Sequence, residues 1–290
     1  MRKVGPMTSR ISGQTAAGRS TEAVPISEDE FLLFQKLIYQ AAGINLSPAK
    51  KALVCGRLSS RLRQRAINSY AEYYRLLVSG EESAEMQIAI DLLTTNETQF
   101  FREPKHFDFL RQHIAASVKP GCAYRVWSAA CSTGEEPYSI AMVLADCLGD
   151  GPWEIVASDI STRVLDKARI GHYPQARAQN IPRHYLMSYC LKGIERQKGT
   201  FLIDKALRAR VQFMQINLNE SLPRIGEFNV IFLRNVMIYF AMETKQLVVR
   251  RMLPVLKPGG CFIIGHSESL NGVVGELDLV APSIYKNPQP

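Results

Sequence analysis

Four short stretches concentrate polar groups where chemistry could be done. Thr94-Thr95-Asn96-Glu97-Thr98-Gln99-Phe100-Phe101-Arg102 is denser in hydrogen-bonding side chains than a plain linker needs; its plainer reading is a capped helix start. Ala129-Ala130-Cys131-Ser132-Thr133-Gly134-Glu135-Glu136-Pro137 combines small residues, one glycine and two carboxylates. The glycine would let a ligand approach the backbone, while the carboxylates argue against a phosphate cradle and for a neutral or cationic ligand. Asp159 lies 25 residues beyond Gly134, where an acid commonly accepts both ribose hydroxyls of a nucleotide-like ligand. Arg234-Asn235-Val236-Met237-Ile238-Tyr239 sets polar groups at the end of a hydrophobic run, where an isolated Arg-Asn pair would ordinarily be solvated. The six cysteines form no CxxC pair and no His stands at metal-ligand spacing, so the expectation is dispersed thiols, with no metal site and no disulfide framework.

The elements that must hold these stretches fall into two halves. Residues 1–26 never develop an apolar signal-peptide core and read as a disordered tail. Ser27 before Glu28, Asp29 and Glu30 is an N-cap, and Phe31, Phe34, Leu37 and Ile38 recur at helical spacing. Ser47-Pro48 opens a second helix with Val54, Leu58 and Leu62 every four residues; further helices are expected at about 69–79 and 82–95. From about residue 123 strands alternate with helices (YRVWSAA, WEIVASDI, FNVIFLRNVMIYF, CFIIGHSE), which predicts a parallel sheet with right-handed crossovers. In such a sheet ligands bind beyond the carboxyl ends of the strands, where three of the four polar stretches fall. Residues 188–213 read as a small antiparallel excursion.

Taken in order, TTNETQFFRE, VWSAACSTGEEPYSIA, ASDIS, IFLRNVMIYF, LKPGG and GHSES resemble the chemotaxis receptor methyltransferases, the CheR family of protein-glutamate O-methyltransferases. The resemblance runs from about residue 28 to 285. It implies an α/β fold: a Rossmann-like class I domain dependent on S-adenosylmethionine (SAM) over 96–290, carrying a small antiparallel β-subdomain, preceded by an all-α N-terminal domain over 27–95. It implies SAM contacts at Asn96, Thr98, Arg102, Glu136, Asp159, Asn217, Leu218, Arg234 and Asn235, with S-adenosylhomocysteine as product. Arg102 and Tyr239 are then the candidates to orient the acceptor carboxylate, although Tyr239 could instead be an aromatic filling the sheet edge. His266 in GHSE reads as a structural histidine, because methylation of a carboxylate requires no proton abstraction. In some members of the family the β-subdomain tethers to a peptide at the receptor's C-terminus; the corresponding turn here, Lys192-Gly193-Ile194-Glu195, has a single glycine.

The charge narrows the partner. With 35 Lys+Arg against 27 Asp+Glu the chain carries a formal +8, which invites nucleic acid, an anionic membrane or an acidic protein. No acid falls between Glu30 and Glu72, while Lys50, Lys51, Arg57, Arg61, Arg63 and Arg65 all do. Such a run is usually a solvated face; here its one-sidedness reads as a docking surface for the acidic cytoplasmic helices of a membrane chemoreceptor. A nucleic-acid methyltransferase would carry an Asn/Asp-Pro-Pro-aromatic motif after the fourth strand, where this chain has Arg-Asn-Val-Met-Ile-Tyr, so no nucleic-acid partner is expected. A catalytically silent SAM-binding adaptor is the remaining alternative. No apolar run reaches the 18 residues a span requires, so the expectation is a cytoplasmic protein with no membrane insertion.

Overall fold

The computed structural model of the chain describes residues 25–119 and 121–288. Residues 1–24, most of the expected tail, lie outside the described residues; Ile26, placed in that tail, is buried in the helical core. The helical half consists of α1 (Glu28–Ala42), α2 (Lys51–Arg65), α3 (Tyr70–Ser79) and α4 (Ser83–Leu93). Ser27 starts α1 through a full capping box: its Oγ accepts the Glu30 N–H, and the Glu30 carboxylate accepts the Ser27 N–H. Phe31, Phe34, Leu37 and Ile38 of α1 meet Val54, Leu58 and Leu62 of α2 in one buried cluster, as their spacing predicts.

The second half runs α5 (Lys105–Ser117), β1 (Tyr124–Ser128), α6 (Glu135–Leu148), β2 (Trp153–Asp159), α7 (Thr162–Ile170), β3 (His172–Pro174), α8 (Arg183–Tyr189), β4 (Cys190–Lys192), β5 (Thr200–Ile203) and α9 (Lys205–Arg208). It continues with β6 (Val211–Gln215), β7 (Phe228–Leu233), α10 (Met242–Met252), β8 (Leu256–Ile264), β9 (Asp278–Ala281) and β10 (Ile284–Lys286). Seven strands form one sheet in the order β6-β2-β1-β7-β8-β10-β9, the first five parallel and β10 antiparallel to both its neighbours. Alternate residues feed opposite faces: Val126, Val230 and Phe232 pack toward α5 and α6, whereas Trp127, Ile231 and Leu233 pack toward α10. Among the described residues no helix is long and apolar enough to cross a membrane.

The antiparallel excursion exists, with different limits. Its sheet is β3-β5-β4, so it begins near residue 172, not 188, and Val211–Gln215 belongs to the main sheet as its edge strand beside β2. The first strand is three residues ending in a proline, too short for alternation to register.

Hydrogen bonds seat the helical half on the sheet. The Asp91 carboxylate of α4 accepts the Thr162 N–H, the Thr162 hydroxyl and the Arg163 N–H, capping α7 from across the molecule. The Asn45 N–H donates to the Tyr239 carbonyl at 2.7 Å, and Ile44 bridges Phe240. Gly43 makes that approach possible: its φ is +71°, and a Cβ there would stand 2.7 Å from the Thr244 methyl.

Candidate active site

β1, β2 and β7 end at Ser128, Asp159 and Leu233, and the chain order reverses across β1. Such a switch point opens a crevice at the carboxyl ends of the strands. A cavity of about 400 Å³ occupies it, within the range of small-molecule sites, and residues from 42–50 of the helical half and from the junction 93–99 line it. Asn96, Thr98, Arg102, Glu136, Asp159, Asn217, Leu218, Arg234 and Asn235 all line this one cavity, together with Tyr239 and Lys50. Gly134 does not line it. The sequence reading gave that glycine to a ligand; the structure gives it to packing, because a Cβ at its φ of +96° would stand 2.8 Å from the Tyr173 hydroxyl and 2.9 Å from Ala168.

Asp159, at the tip of β2, is 7% exposed, and burial raises its pKa against the opposing pull of backbone N–H groups from Ser161 and Ser132. Each of its oxygens accepts one of those N–H groups at 2.9 Å. A carboxylate offers about four acceptor positions, so each oxygen keeps capacity for a hydroxyl. Ser132, itself at φ +49°, also donates its hydroxyl to the Asn96 carbonyl, tying the β1–α6 loop to the 94–102 stretch. Thr98 is held through its carbonyl, which accepts from Arg177 of the inserted segment. The Asn217 amide donates to the Ala41 carbonyl and the Glu220 carboxylate, so this side chain stitches the two halves together while lining the cavity.

Arg234 is not solvated as an isolated Arg-Asn pair would be. Its side chain is 1% exposed, with Nη1 donating to Glu136 at 2.8 Å and Nη2 to Glu103 at 2.9 Å and to the Arg102 carbonyl at 2.5 Å. Glu136 is fixed at its other oxygen by the Ser128 hydroxyl at 2.7 Å. Burial pushes the Glu103 carboxyl upward, but the Arg234 hydrogen bond and charge outweigh it and hold the group below its ordinary range. Arg102 itself is half-buried; among the described residues its guanidinium makes one long hydrogen bond, to the Glu97 carbonyl at 3.3 Å. Tyr239 is likewise half-buried at the cavity wall. Among the described residues seven non-glycine residues have positive φ; Phe101 and Glu103 flank Arg102, and Ser132 and Asn235 line the cavity. Backbone strain of this kind collects where function demands a fixed shape.

Two carboxylates that sequence reasoning passed over shape this site. Glu103 is the second counter-ion of Arg234. Glu268, in the GHSES motif, accepts backbone N–H groups from Gly265 at 2.7 Å, Asn235 at 2.8 Å and Ile238 at 3.3 Å, so it moulds the loop that carries Asn235 and Tyr239. Burial raises its pKa despite those donors. Motif position drew attention to His266, which is exposed and does not line the cavity; the carboxylate two residues on does the holding. Spacing also hid a cluster: ligand atoms of Glu103, His106 and His266 lie within 4.8 Å of one another. The Glu103 carboxylate there already faces the Arg234 cation, whose charge opposes a second cation at the same place.

The basic run on and before α2 divides. Arg61 forms a two-point pair with buried Glu85, Arg57 donates to the Leu93 and Thr94 carbonyls, Lys51 pairs with Glu28 and Arg65 with Glu82. The acid-free stretch is therefore answered by acids from α1 and from the segment 82–85. Lys50 and Arg63 are exposed and make no ion pair among the described residues.

Comparison with known proteins agrees with this architecture. Residues 29–94 match the family description "CheR methyltransferase, all-alpha domain" and residues 96–285 match "CheR methyltransferase, SAM binding domain". The chain is 42% identical over 284 residues to the chemotaxis protein methyltransferase of Salmonella typhimurium, covering 96% of this chain and 98% of that one. It is 43% identical over 284 residues to the Escherichia coli protein of that name, with the same coverage, and 43% identical over 262 residues to chemotaxis protein methyltransferase 2 of Pseudomonas aeruginosa, covering 89% and 93%. The buried acid at the tip of β2, the cavity at the switch point and the helical roof are the parts such a SAM-binding enzyme needs, and the chain belongs to the CheR family of SAM-dependent methyltransferases.

Proposed function

We propose that the chain transfers the methyl group of SAM to glutamate side-chain carboxylates of chemotaxis receptors, giving glutamate 5-O-methyl esters and S-adenosylhomocysteine. The observation that carries this reading is the cavity wall, where the lightly engaged Arg102 guanidinium and the half-buried Tyr239 stand beside a SAM-sized cavity. A glutamate with an ordinary pKa near 4.3 is protonated in only about one molecule in several hundred at pH 7, so the acceptor is already a nucleophile. SAM, when bound, supplies an electrophilic methyl carbon on a sulfonium centre.

The residues of this chain then have distinct tasks. Asp159 accepts from the ribose diol with the acceptor capacity its two backbone contacts leave. Glu136, oriented by Ser128 and Arg234, is the carboxylate for the ammonium group of the zwitterionic methionine end. Arg102 and Tyr239 orient the acceptor carboxylate by charge-assisted hydrogen bonds, the planar guanidinium matching both oxygens. Residues 42–50 and 93–99 cover the cavity and limit water. In-line placement of this kind can contribute on the order of 7–11 kcal/mol.

The exposed basic residues Lys50 and Arg63 support docking on acidic receptor helices. In the inserted subdomain β4 is an edge strand, with Leu191 54% and Ile194 73% exposed, which supports tethering of an extended receptor peptide along that edge.

The test is incubation with methyl-labelled SAM and receptor-bearing membranes. A base-labile methyl ester on the receptor is expected, and Arg102→Lys should lower kcat/KM about tenfold or more. A stable label on nucleic acid, or no label at all, would sink the reading.

A further inference from the structure

Arg234 has two carboxylate partners, and only one of them, Glu136, lines the cavity. We propose that the other, Glu103, is a positioning residue that fixes the catalytic Arg102 and the cofactor carboxylate Glu136 relative to one another through Arg234. The inference rests on the proposed reaction and names a residue for it that touches neither substrate.

Four contacts meet at this side chain. Its Oε2 accepts from Arg234 Nη2 at 2.9 Å and from the His266 N–H at 3.2 Å, and lies 3.4 Å from His106 Nδ1; its Oε1 faces Asn235 Nδ2 at 3.4 Å. The same Arg234 nitrogen also donates to the Arg102 carbonyl, so Glu103 and the backbone of Arg102 share one donor. A single carboxylate would balance the buried guanidinium charge. Without Glu103, however, Nη2 would keep only the neutral Arg102 carbonyl, whereas a carboxylate on each terminal nitrogen holds the plane of the fork by charge-assisted hydrogen bonds. Backbone conformation points the same way. Phe101 at φ +50° and Glu103 at φ +58° bracket Arg102, and each strained residue is anchored: Phe101 donates its N–H to Ser139 Oγ, and Glu103 is held by its own carboxylate. Releasing Glu103 lets the bracket relax and carries Arg102 with it, while the Glu136 carboxylate turns more fully onto Arg234.

Glu103→Gln keeps the shape and removes the charge. Loss of a charge-assisted hydrogen bond in a buried network should lower kcat about tenfold to a hundredfold and weaken S-adenosylhomocysteine binding, measured by calorimetry on the full chain, by about tenfold. Receptor KM should stay within about twofold. A merely structural glutamate would lower Tm and leave kcat and affinity of the folded enzyme unchanged. Because Glu103 acts through Arg102, the kcat losses of Glu103→Gln and Arg102→Lys should combine to less than their product; strict multiplication would contradict the mechanism. Glu103→Asp, which keeps the charge one methylene short, is the second variant should the amide fail to fold, and its losses should be smaller but in the same direction. Either folded variant keeping wild-type kcat and S-adenosylhomocysteine affinity would overturn the proposal. A wild-type chain that binds S-adenosylhomocysteine yet methylates no receptor would instead remove the reaction, with the affinity arm still deciding the role of Glu103.

Discussion

Arg61→Ala should weaken the helical half itself, not merely its grip on a partner. Glu85 is 2% exposed and accepts three hydrogen bonds: Arg61 Nε at 2.8 Å, Arg61 Nη2 at 2.5 Å and the Tyr73 hydroxyl at 2.7 Å. After the substitution only the tyrosine remains against a buried carboxylate. Breaking a buried pair typically costs about 3–5 kcal/mol; because the Arg61 side chain is 20% exposed and water can replace part of what is lost, about 2–4 kcal/mol is the better figure. For the 290-residue chain melting as one cooperative unit that is a fall in Tm of roughly 3–7 °C. The pH dependence gives a second signature. The Arg61 hydrogen bonds lead in lowering the Glu85 pKa, so the pair contributes stability above the ordinary carboxyl range and loses it as pH falls through the depressed value. In the variant Glu85 can take up a proton at higher pH than in wild type, and the Tm gap should narrow from pH 7 toward pH 4.5. Thermal melts of Arg61→Ala, Glu85→Gln and the double variant at both pH values test this, with the double variant recovering part of the loss. An Arg61→Ala protein with wild-type Tm and a raised receptor KM would refute the structural assignment and restore Arg61 to the docking face.

Arg63→Glu, at an exposed site without an ion pair among the described residues, should raise receptor KM several-fold while Tm and S-adenosylhomocysteine affinity hold; an unchanged KM removes that residue from the docking face. His106 is 1% exposed, and burial, aided by the Arg234 charge, depresses its pKa to about 3. Since the folded value lies below the unfolded one near 6.5, the neutral ring favours the fold above pH 6.5 and the protein should lose about 1.5 kcal/mol on going from pH 6.5 to 5. His106→Gln should flatten that part of the Tm–pH profile, and an unaltered slope would place the titration elsewhere.

What the sequence shows and hides follows from the range of the interactions. The α1 start was legible because a capping box is a contact between residues three apart, and the parallel strands because each buried run carries its own pattern. Asp159 and the Arg234–Tyr239 stretch were legible because strand ends at a switch point are where the fold forces ligands to lie, whereas Asn96, Thr98, Arg102, Asn217 and Leu218 came only with the family resemblance. Glu103 was not: its partners Arg234 and His266 stand 131 and 163 residues away, and nothing in REPKH signals them. The limits of the insertion failed for the opposite reason, since a three-residue strand is too local to carry a period.

The basic run shows the same asymmetry in charge. Arg57, Arg61 and Arg65 recur every four residues and so share one face of α2, but a face is defined by what packs against it, and α4 with the turn before it brings Glu82 and Glu85 there. An acid-free stretch in sequence is therefore not a surplus of positive potential in space. Among the described residues Lys50, which lines the cavity, and Arg63 are exposed cations of this run without a counter-charge, and on the proposed docking they are the ones left to attract an acidic helix. The same cancellation inside the site works to the enzyme's advantage. Arg234 is engaged by Glu103 and Glu136, so on the proposed reaction the guanidinium left for the acceptor carboxylate is Arg102, whose side chain makes one hydrogen bond among the described residues. On the proposed reaction, selectivity for an anionic acceptor comes from Arg102, a lightly engaged cation whose backbone carbonyl is held by the buried Arg234.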